Sequence, residues 1–259
     1  MTTSTHTVHA RNWATTSANR IHSDEIAAAH GFRGGLVPGV NTIAYLVPAI
    51  VGALGDEWLD RGALEVRLTS PVYDEEVVTA IADGAGTVRL VGEAGDDDRI
   101  VATATVPDQG MGLDVPPSAV LPDERPEASP ESLAPGTVLG SLHHAADPVR
   151  VAAYLASIND SGALAASAAV HPGWLLLDAN AALSANVVLG PWIHVGSALR
   201  LHRRVAFEEE LETRAVVRAE YDRKGHRFVE LDVVTLASGE PAMSVQHTAI
   251  YRLRGATSA

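Results

Sequence analysis

Two long apolar stretches, each followed by a run of alternating strands, constrain the fold of this 259-residue chain more than any other feature. The first is GVNTIAYLVPAIVGALG, Gly39 to Gly55, and the second is GWLLLDANAALSANVV, Gly173 to Val188. A helix that is apolar on nearly every side must be covered on nearly every side. Pro48 is expected to kink the first helix, or to end it and start another. After it come ALEVRLTSPVYDEEVVTAIAD, GTVRLVGEA and RIVATATV, β-branched and alternating, with Gly and Asp between them. After the second come WIHVGSALRLHRRV, ELETRAVVRAEY, HRFVELDVVTLA and AMSVQHTAIYRLR.

The two halves superpose at a nearly constant offset. Val37-Pro38-Gly39 answers to His171-Pro172-Gly173, and EVRL before Pro71 answers to ALRL before Arg204. Between the halves, residues 107–135 hold seven of the 14 prolines and little apolar periodicity, which reads as an irregular linker with few core contacts. The expected organisation is an N-terminal unit at 1–107, a proline-rich linker at 108–136 and a C-terminal unit at 137–259. Each unit is α+β, a helix wrapped by antiparallel strands. The two sheets are expected to join edge to edge, so that the edges between them are not left open.

Composition narrows the function classes. With no cysteine the chain has no disulfide, thiolate metal site or thiol nucleophile. A net charge of −13 argues against a nucleic acid or an anionic membrane surface as partner. Two local basic stretches, RLHRR at Arg200–Arg204 and YDRKGHR at Tyr221–Arg227, read either as solvent-facing strand charges or as a small-anion patch. The N-terminus lacks an apolar stretch of signal-peptide length, and the run Ile43–Leu54 is too short to span a bilayer. A cytoplasmic location is expected. His143 and His144 are adjacent but have no partner at metal-ligand spacing, so no metal and no cofactor is expected. There is no P-loop, no G-x-S-x-G elbow and no dinucleotide fingerprint.

The stretch from Ser17 to Gly39, SANRIHSDEIAAAHGFRGGLVPG, carries the densest set of candidate residues. His22 can exchange a proton near neutral pH, or else be a backbone-bonded loop histidine. Asp24 precedes a helix, where an N-cap is expected, and lies two residues from His22 as an alternative support for it. Asn19 either holds the loop in an Asx turn or binds substrate. Gly39 and Val40 begin the first central helix, whose unpaired N–H groups suit a developing negative charge or simply mark a helix start. His171 and His194 flank the second helix and face either the core or a cavity between the halves.

This pattern resembles the hotdog fold, and in particular the MaoC-like family of (R)-specific enoyl-CoA hydratases and dehydratases. The family motif D-x-N-P-x-H-x-D is matched by Ser17-Ala-Asn19-Arg-Ile21-His22-Ser-Asp24, followed by Ala27, Ala28, Gly31-Phe32 and Pro38-Gly39. VRLTSPVYDEEVVT also resembles the family's strand after the helix. The resemblance implies a double hotdog covering most of the chain outside the linker. It also implies an acyl-thioester or related α,β-unsaturated carbonyl substrate, presented by CoA, by a carrier protein or as a free acid, and hydration, dehydration or a related elimination. A homo-oligomer is compatible with it.

The family's dyad implies His22 as the proton-transfer residue, with Asn19 and Asp24 as supports and Gly39–Val40 as the carbonyl site. The family's acid position is Ser17, which cannot act as a base without its own activator. The second copy offers Asp160 in INDSG, with Ala165 where a histidine would follow. Rival readings keep the fold. One is a thioesterase or isomerase using Asp178 of the second helix, whose apolar surroundings would raise its pKa. The other is a non-catalytic acyl-binding protein.

Overall fold

A computed structural model describes residues 2–93, 97–108, 112–158 and 169–255. The first unit contains β1 (Thr3–His9), a 3-10 turn (Arg20–His22), α1 (Asp24–Ala29), α2 (Gly39–Ala44), α3 (Val47–Leu54) and α4 (Trp58–Arg61). Strands β2 (Ala63–Leu68), β3 (Val77–Asp83), β4 (Thr87–Gly92) and β5 (Asp98–Thr105) follow. The second contains β6 (Val138–Ala145), α5 (Pro148–Ser157) and α6 (Pro172–Asn186). Its remaining strands are β7 (Ile193–Leu201), β8 (Glu210–Arg223), β9 (His226–Ala237) and β10 (Glu240–Arg252).

All ten strands form one sheet in the order β1-β3-β4-β5-β2-β7-β10-β9-β8-β6. Read from its two ends inward, the order is the same once five is added to each label of the first half. That symmetry is the duplication legible in the sequence. The halves meet where β2 pairs antiparallel with β7, Leu64 opposite Leu199 and Val66 opposite Ser197. Joining here removes two open edges, the liability that unpaired strand backbone presents.

Pro48 divides the first apolar stretch. Helix α2 stops at Ala44, and α3 restarts at Val47 with Pro48 in its first turn, where a missing N–H costs no ladder bond. The second stretch has no internal proline and runs unbroken for 15 residues. The two central helices touch at Gly173, where a Cβ would lie 2.6 Å from that of Ala44. One contiguous apolar core spans both units, with Ile50, Trp58, Leu176 and Leu183 all but inaccessible to solvent. A smaller cluster of Ile21, Ala27, Leu36 and Leu253 sits under α1.

Strands β1 and β6 and helix α5 were not expected. β1 reads TSTHTVH with one buried residue, Val8, so its sequence has almost no apolar alternation to reveal it. Among the described residues of 112–136 there is no helix or strand. It is nevertheless fastened to the second unit. Ser141 N–H donates to Ala119 O at 2.8 Å and Val188 N–H to Pro126 O at 2.8 Å, and Leu133 is fully buried. Leu133 joins the contiguous core, because proline-rich sequence limits backbone pairing without preventing a leucine from filling a core gap.

Candidate active site

The loop before α1 is built by side chains that satisfy distant backbone. Asn19 caps the 3-10 turn, its Oδ1 accepting from Ile21 N–H at 3.4 Å, while Ile21 anchors the turn in the small apolar cluster. Asn12 Nδ2 donates to His22 O at 2.8 Å. Two residues then clasp the segment before α2. His22 Nδ1–H donates to Leu36 O at 2.7 Å, and Asp24 Oδ1 accepts from Gly35 N–H at 2.7 Å. Gly35 is required by this closeness, since a Cβ there would lie 2.1 Å from His22 O. Asp24 is the first residue of α1 and not its cap. Ser23 occupies the cap position, and its hydroxyl turns back to Arg20 O at 2.8 Å.

The bond to Leu36 O fixes the His22 tautomer, because a carbonyl can only accept. Nδ1 carries the hydrogen and Nε2 keeps its lone pair, 3.3 Å from Asn19 Nδ2. Burial lowers the His22 pKa from its ordinary value, partly opposed by the Leu36 bond. At neutral pH the ring is neutral, the form that can take a proton. Asn19 is held in turn by the second unit. Its Nδ2 donates to Trp192 O at 3.0 Å and its Oδ1 accepts from Trp192 N–H at 3.2 Å.

His22 and Asn19 line a cavity of about 200 Å³ between the two units. Its walls include Phe32, Leu68 and Ile250, and Gly39 at the start of α2. A wider groove of about 450 Å³ adjoins it, sharing Asn19, His22, Pro38, Asn180 and Trp192. Ser17 and Val40 line that groove and not the inner cavity, with Trp13 and Arg125 further along it. Ser17 Oγ donates to Asn19 O at 3.1 Å, so it braces the loop. Asn41 and Thr42 N–H groups both reach Pro38 O, whereas the first two N–H groups of α2, Gly39 and Val40, precede any intrahelical acceptor.

The pseudo-equivalent position in the second unit is closed. Pro172, Leu201 and Val205 there answer to Pro38, Leu68 and Val72 here, but the space between them is about 10 Å³. Arg203 and Arg204 line it, held by Glu209 at 2.6 Å and by Asp56 and Asp60 at 2.6 and 2.7 Å. Within RLHRR, Arg203 and Arg204 are therefore neutralised by ion pairs and offer no anion patch. In the other basic stretch, Arg227 is paired with Glu220.

The remaining sequence candidates lie elsewhere. Asp178 is buried, but it lines neither the cavity nor the groove. Its carboxylate accepts from Thr213 Oγ1 at 3.0 Å and pairs with His144 Nε2 at 2.9 Å, which raises the His144 pKa. The sequence treats His144 only as a member of a histidine pair, and its real partner is 34 residues away. His171 caps α6, Nδ1 accepting from Gly173 N–H at 2.9 Å, and is buried. Asp160 and Ala165 lie outside the described residues. Among the described residues no group of His, Cys, Asp and Glu could hold a metal ion, and no helix is long and apolar enough to cross a membrane.

Two further cavity residues come from the second unit. Of the two readings open for His194, core or cavity, it takes the second, at the cavity wall beside Gly39. Asn180 was not singled out, although an amide within LLLDANAAL is a polar exception on an apolar helix and could have been flagged.

No family model and no curated relative matches the chain. Solved structures do. A MaoC domain protein from Chloroflexus aurantiacus J-10-fl, assigned as a dehydratase, superposes with a TM-score of 0.66 at 8% identity, covering 98% of this chain and 95% of that one. A Mycobacterium tuberculosis protein with a double hotdog fold gives 0.64 at 11% identity, covering 94% and 93%. A Lactobacillus plantarum protein assigned as an oleoyl thioesterase gives 0.59 at 10% identity, covering 100% and 98%. At such identities the likeness concerns architecture: the chain has a double hotdog fold and superposes along nearly its whole length on MaoC-like dehydratases.

Proposed function

We propose that this chain is a hydratase or dehydratase of an α,β-unsaturated acyl thioester. The observation that carries the reading is His22: a neutral imidazole, its Nδ1–H tied to Leu36 O, at the wall of a cavity that also contains the start of α2. In the hydration direction, Nε2 takes a proton from water as the oxygen bonds to C3. The C2=C3 electron pair moves to C2 and onto the thioester oxygen. The N–H groups at Gly39 and Val40, at the start of α2 where the cavity meets the groove, would stabilise the enolate oxygen. His22 then returns its proton to C2, so that water is added across the bond with no net proton change. Taking the proton requires Nε2 to release its Asn19 contact, which at 3.3 Å is long for a hydrogen bond and weak.

The wider groove suits the arm that carries the acyl group, whether CoA or a carrier protein, and the inner cavity the acyl chain. The structures named above include one assigned as a dehydratase and one assigned as a thioesterase, so both chemistries need weighing. A thioesterase reading draws on Asp178, but that carboxylate is committed to His144 and Thr213 outside the cavity. The hydratase reading is therefore favoured. The test is a paired assay: hydration of a C4–C8 enoyl-CoA series, followed by loss of the conjugated thioester absorbance, against thiol release from the saturated acyl-CoAs. Hydration with little thiol release supports the proposal; the reverse overturns it.

A further inference from the structure

His194 is a cavity histidine of the second unit that the proposed reaction leaves unused. It lies at the start of β7, 5% exposed, and lines the same cavity as His22. Its Nε2–H is fully engaged, 3.1 Å from Gly196 O and 2.9 Å from Ser197 Oγ. The ring also stacks on that of His247, centroids 4.3 Å apart. Because Nε2 must donate to the Gly196 carbonyl, Nδ1 is an acceptor and nothing else. Burial holds the His194 pKa at about 4, so the ring stays neutral across the physiological range.

Nδ1 is buried and has no hydrogen-bond partner among the described residues. It lies against the start of α2, 3.0 Å from where a Cβ on Gly39 would be, so a side chain there would crowd the ring. A buried acceptor without a donor is uncommon, and on a residue that lines the cavity it is placed to receive one from a ligand. A hydrocarbon chain cannot supply one.

We infer that His194 binds the oxygen that the reaction adds or removes, accepting its O–H at Nδ1, so that the second unit completes a site whose proton-transfer residue is in the first. This rests on the hydratase reading. That reading has one oxygen in two forms, water on one side of the reaction and the 3-hydroxyl on the other. As water it has two hydrogens for two acceptors, His22 Nε2 and His194 Nδ1. When His22 takes one hydrogen and the oxygen bonds to C3, the hydroxyl keeps the other on His194. The preferred ligand class is therefore a hydroxyacyl thioester over its deoxy analogue.

The experiment compares 3-hydroxybutanoyl-CoA with butanoyl-CoA by calorimetry, and enoyl-CoA hydration, in the whole chain and two variants. His194→Gln places a donor near the Nε2 position and removes the cavity acceptor. His194→Asn places an acceptor near Nδ1 and removes the Gly196 and Ser197 bonds. The inference expects wild type to prefer the hydroxy ligand about tenfold or more. It expects His194→Gln to lose that preference and slow hydration at a near-native melting temperature. His194→Asn should keep the preference despite lower stability. If His194 is only structural, His194→Gln keeps both binding preference and turnover, and the inference fails while the hydratase reading stands. If hydration is absent but the hydroxyl preference exists and depends on His194, the enzyme reading fails and the acceptor role stands. If neither thioester binds, both are overturned.

Discussion

Asn19 and Trp192 are 173 residues apart in the chain, yet the Asn19 side-chain amide pairs with the Trp192 backbone in both directions, N–H to oxygen at 3.0 and 3.2 Å. The amide that faces His22 Nε2 in the first unit is thereby positioned by the residue directly before β7 in the second. Half of the candidate site cannot be in register unless the whole double unit has formed.

Replacing Asn19 with Asp tests that coupling. The carboxylate keeps an acceptor for Trp192 N–H but sets an oxygen against Trp192 O and a negative charge beside Nε2. A neighbouring carboxylate favours the imidazolium, so the His22 pKa rises. The acid limb of the pH–rate profile should move to higher pH in Asn19→Asp, and the melting temperature should fall. An unmoved limb would separate Asn19 from the proton-transfer group.

Two glycines at equivalent helix starts should behave differently. A Cβ on Gly39 would meet Leu68 Cδ2 at 2.7 Å and His194 Nδ1 at 3.0 Å, both at the cavity wall. A Cβ on Gly173 would meet Tyr154 at 2.3 Å and Ala44 at 2.6 Å, inside the packed interior. Gly39→Ala should lower kcat/KM at least tenfold with a modest loss of stability. Gly173→Ala should lower the melting temperature by several degrees, since overpacking costs about 1–3 kcal/mol, and leave the folded fraction active. Steady-state kinetics and thermal unfolding of the two variants decide it.

Stability should fall on mild acidification. The folded His194 pKa is about 4 against an ordinary 6.5, so above 6.5 neither state is protonated and its contribution is complete. Between 6.5 and 4 the unfolded chain binds a proton that the folded chain refuses, and stability is lost, on the order of 3 kcal/mol from this ring. His22 and His247, both lowered by burial, act in the same direction. His144 acts in the opposite one: its pKa is raised by Asp178, so its contribution is present at acid pH and lost as pH rises through the raised value. Glu209 and Glu212, held at about 2 by Arg203 and Arg214, add losses only below the ordinary 4.5. Melting temperatures at pH 7.5, 6, 5 and 4 should decline from pH 6 downward, and less steeply in His194→Asn. A flat profile down to pH 5 would contradict the burial of these rings.

Asp178→Asn separates the two hotdog chemistries. The buried carboxylate holds His144 and Thr213, so the change should cost about 1–2 kcal/mol of stability and leave turnover within about threefold. Loss of activity in a folded Asp178→Asn protein would favour an acid on the second central helix and remove the case for His22.

The fold was legible where apolar pattern and position coincide. The helices at Gly39–Gly55 and Gly173–Val188, the strands after each, and the break at Pro48 follow from burial and from a missing N–H. β1 was not legible, because an edge strand facing solvent has little apolar alternation. At the site, the Ser17–Asp24 stretch pointed to His22, but no local signal could pair it with Leu36 O. His194 stays undecided for a different reason. Period-two alternation says that a strand residue faces inward, and is silent on whether it meets core or cavity. His144 and Asp178 were each noticed, yet the contact between them is made by the sheet curling over α6, which one-dimensional spacing cannot encode.

The central claim is that His22 moves the proton, and turnover of His22→Ala measures it most directly. Enoyl-CoA hydration should fall about 10²–10⁴-fold, the usual effect of losing a positioned acid or base. The melting temperature should drop only by the loss of the Leu36 bond, about 1 kcal/mol. A folded His22→Ala protein that hydrates its substrate at the wild-type rate would contradict the account.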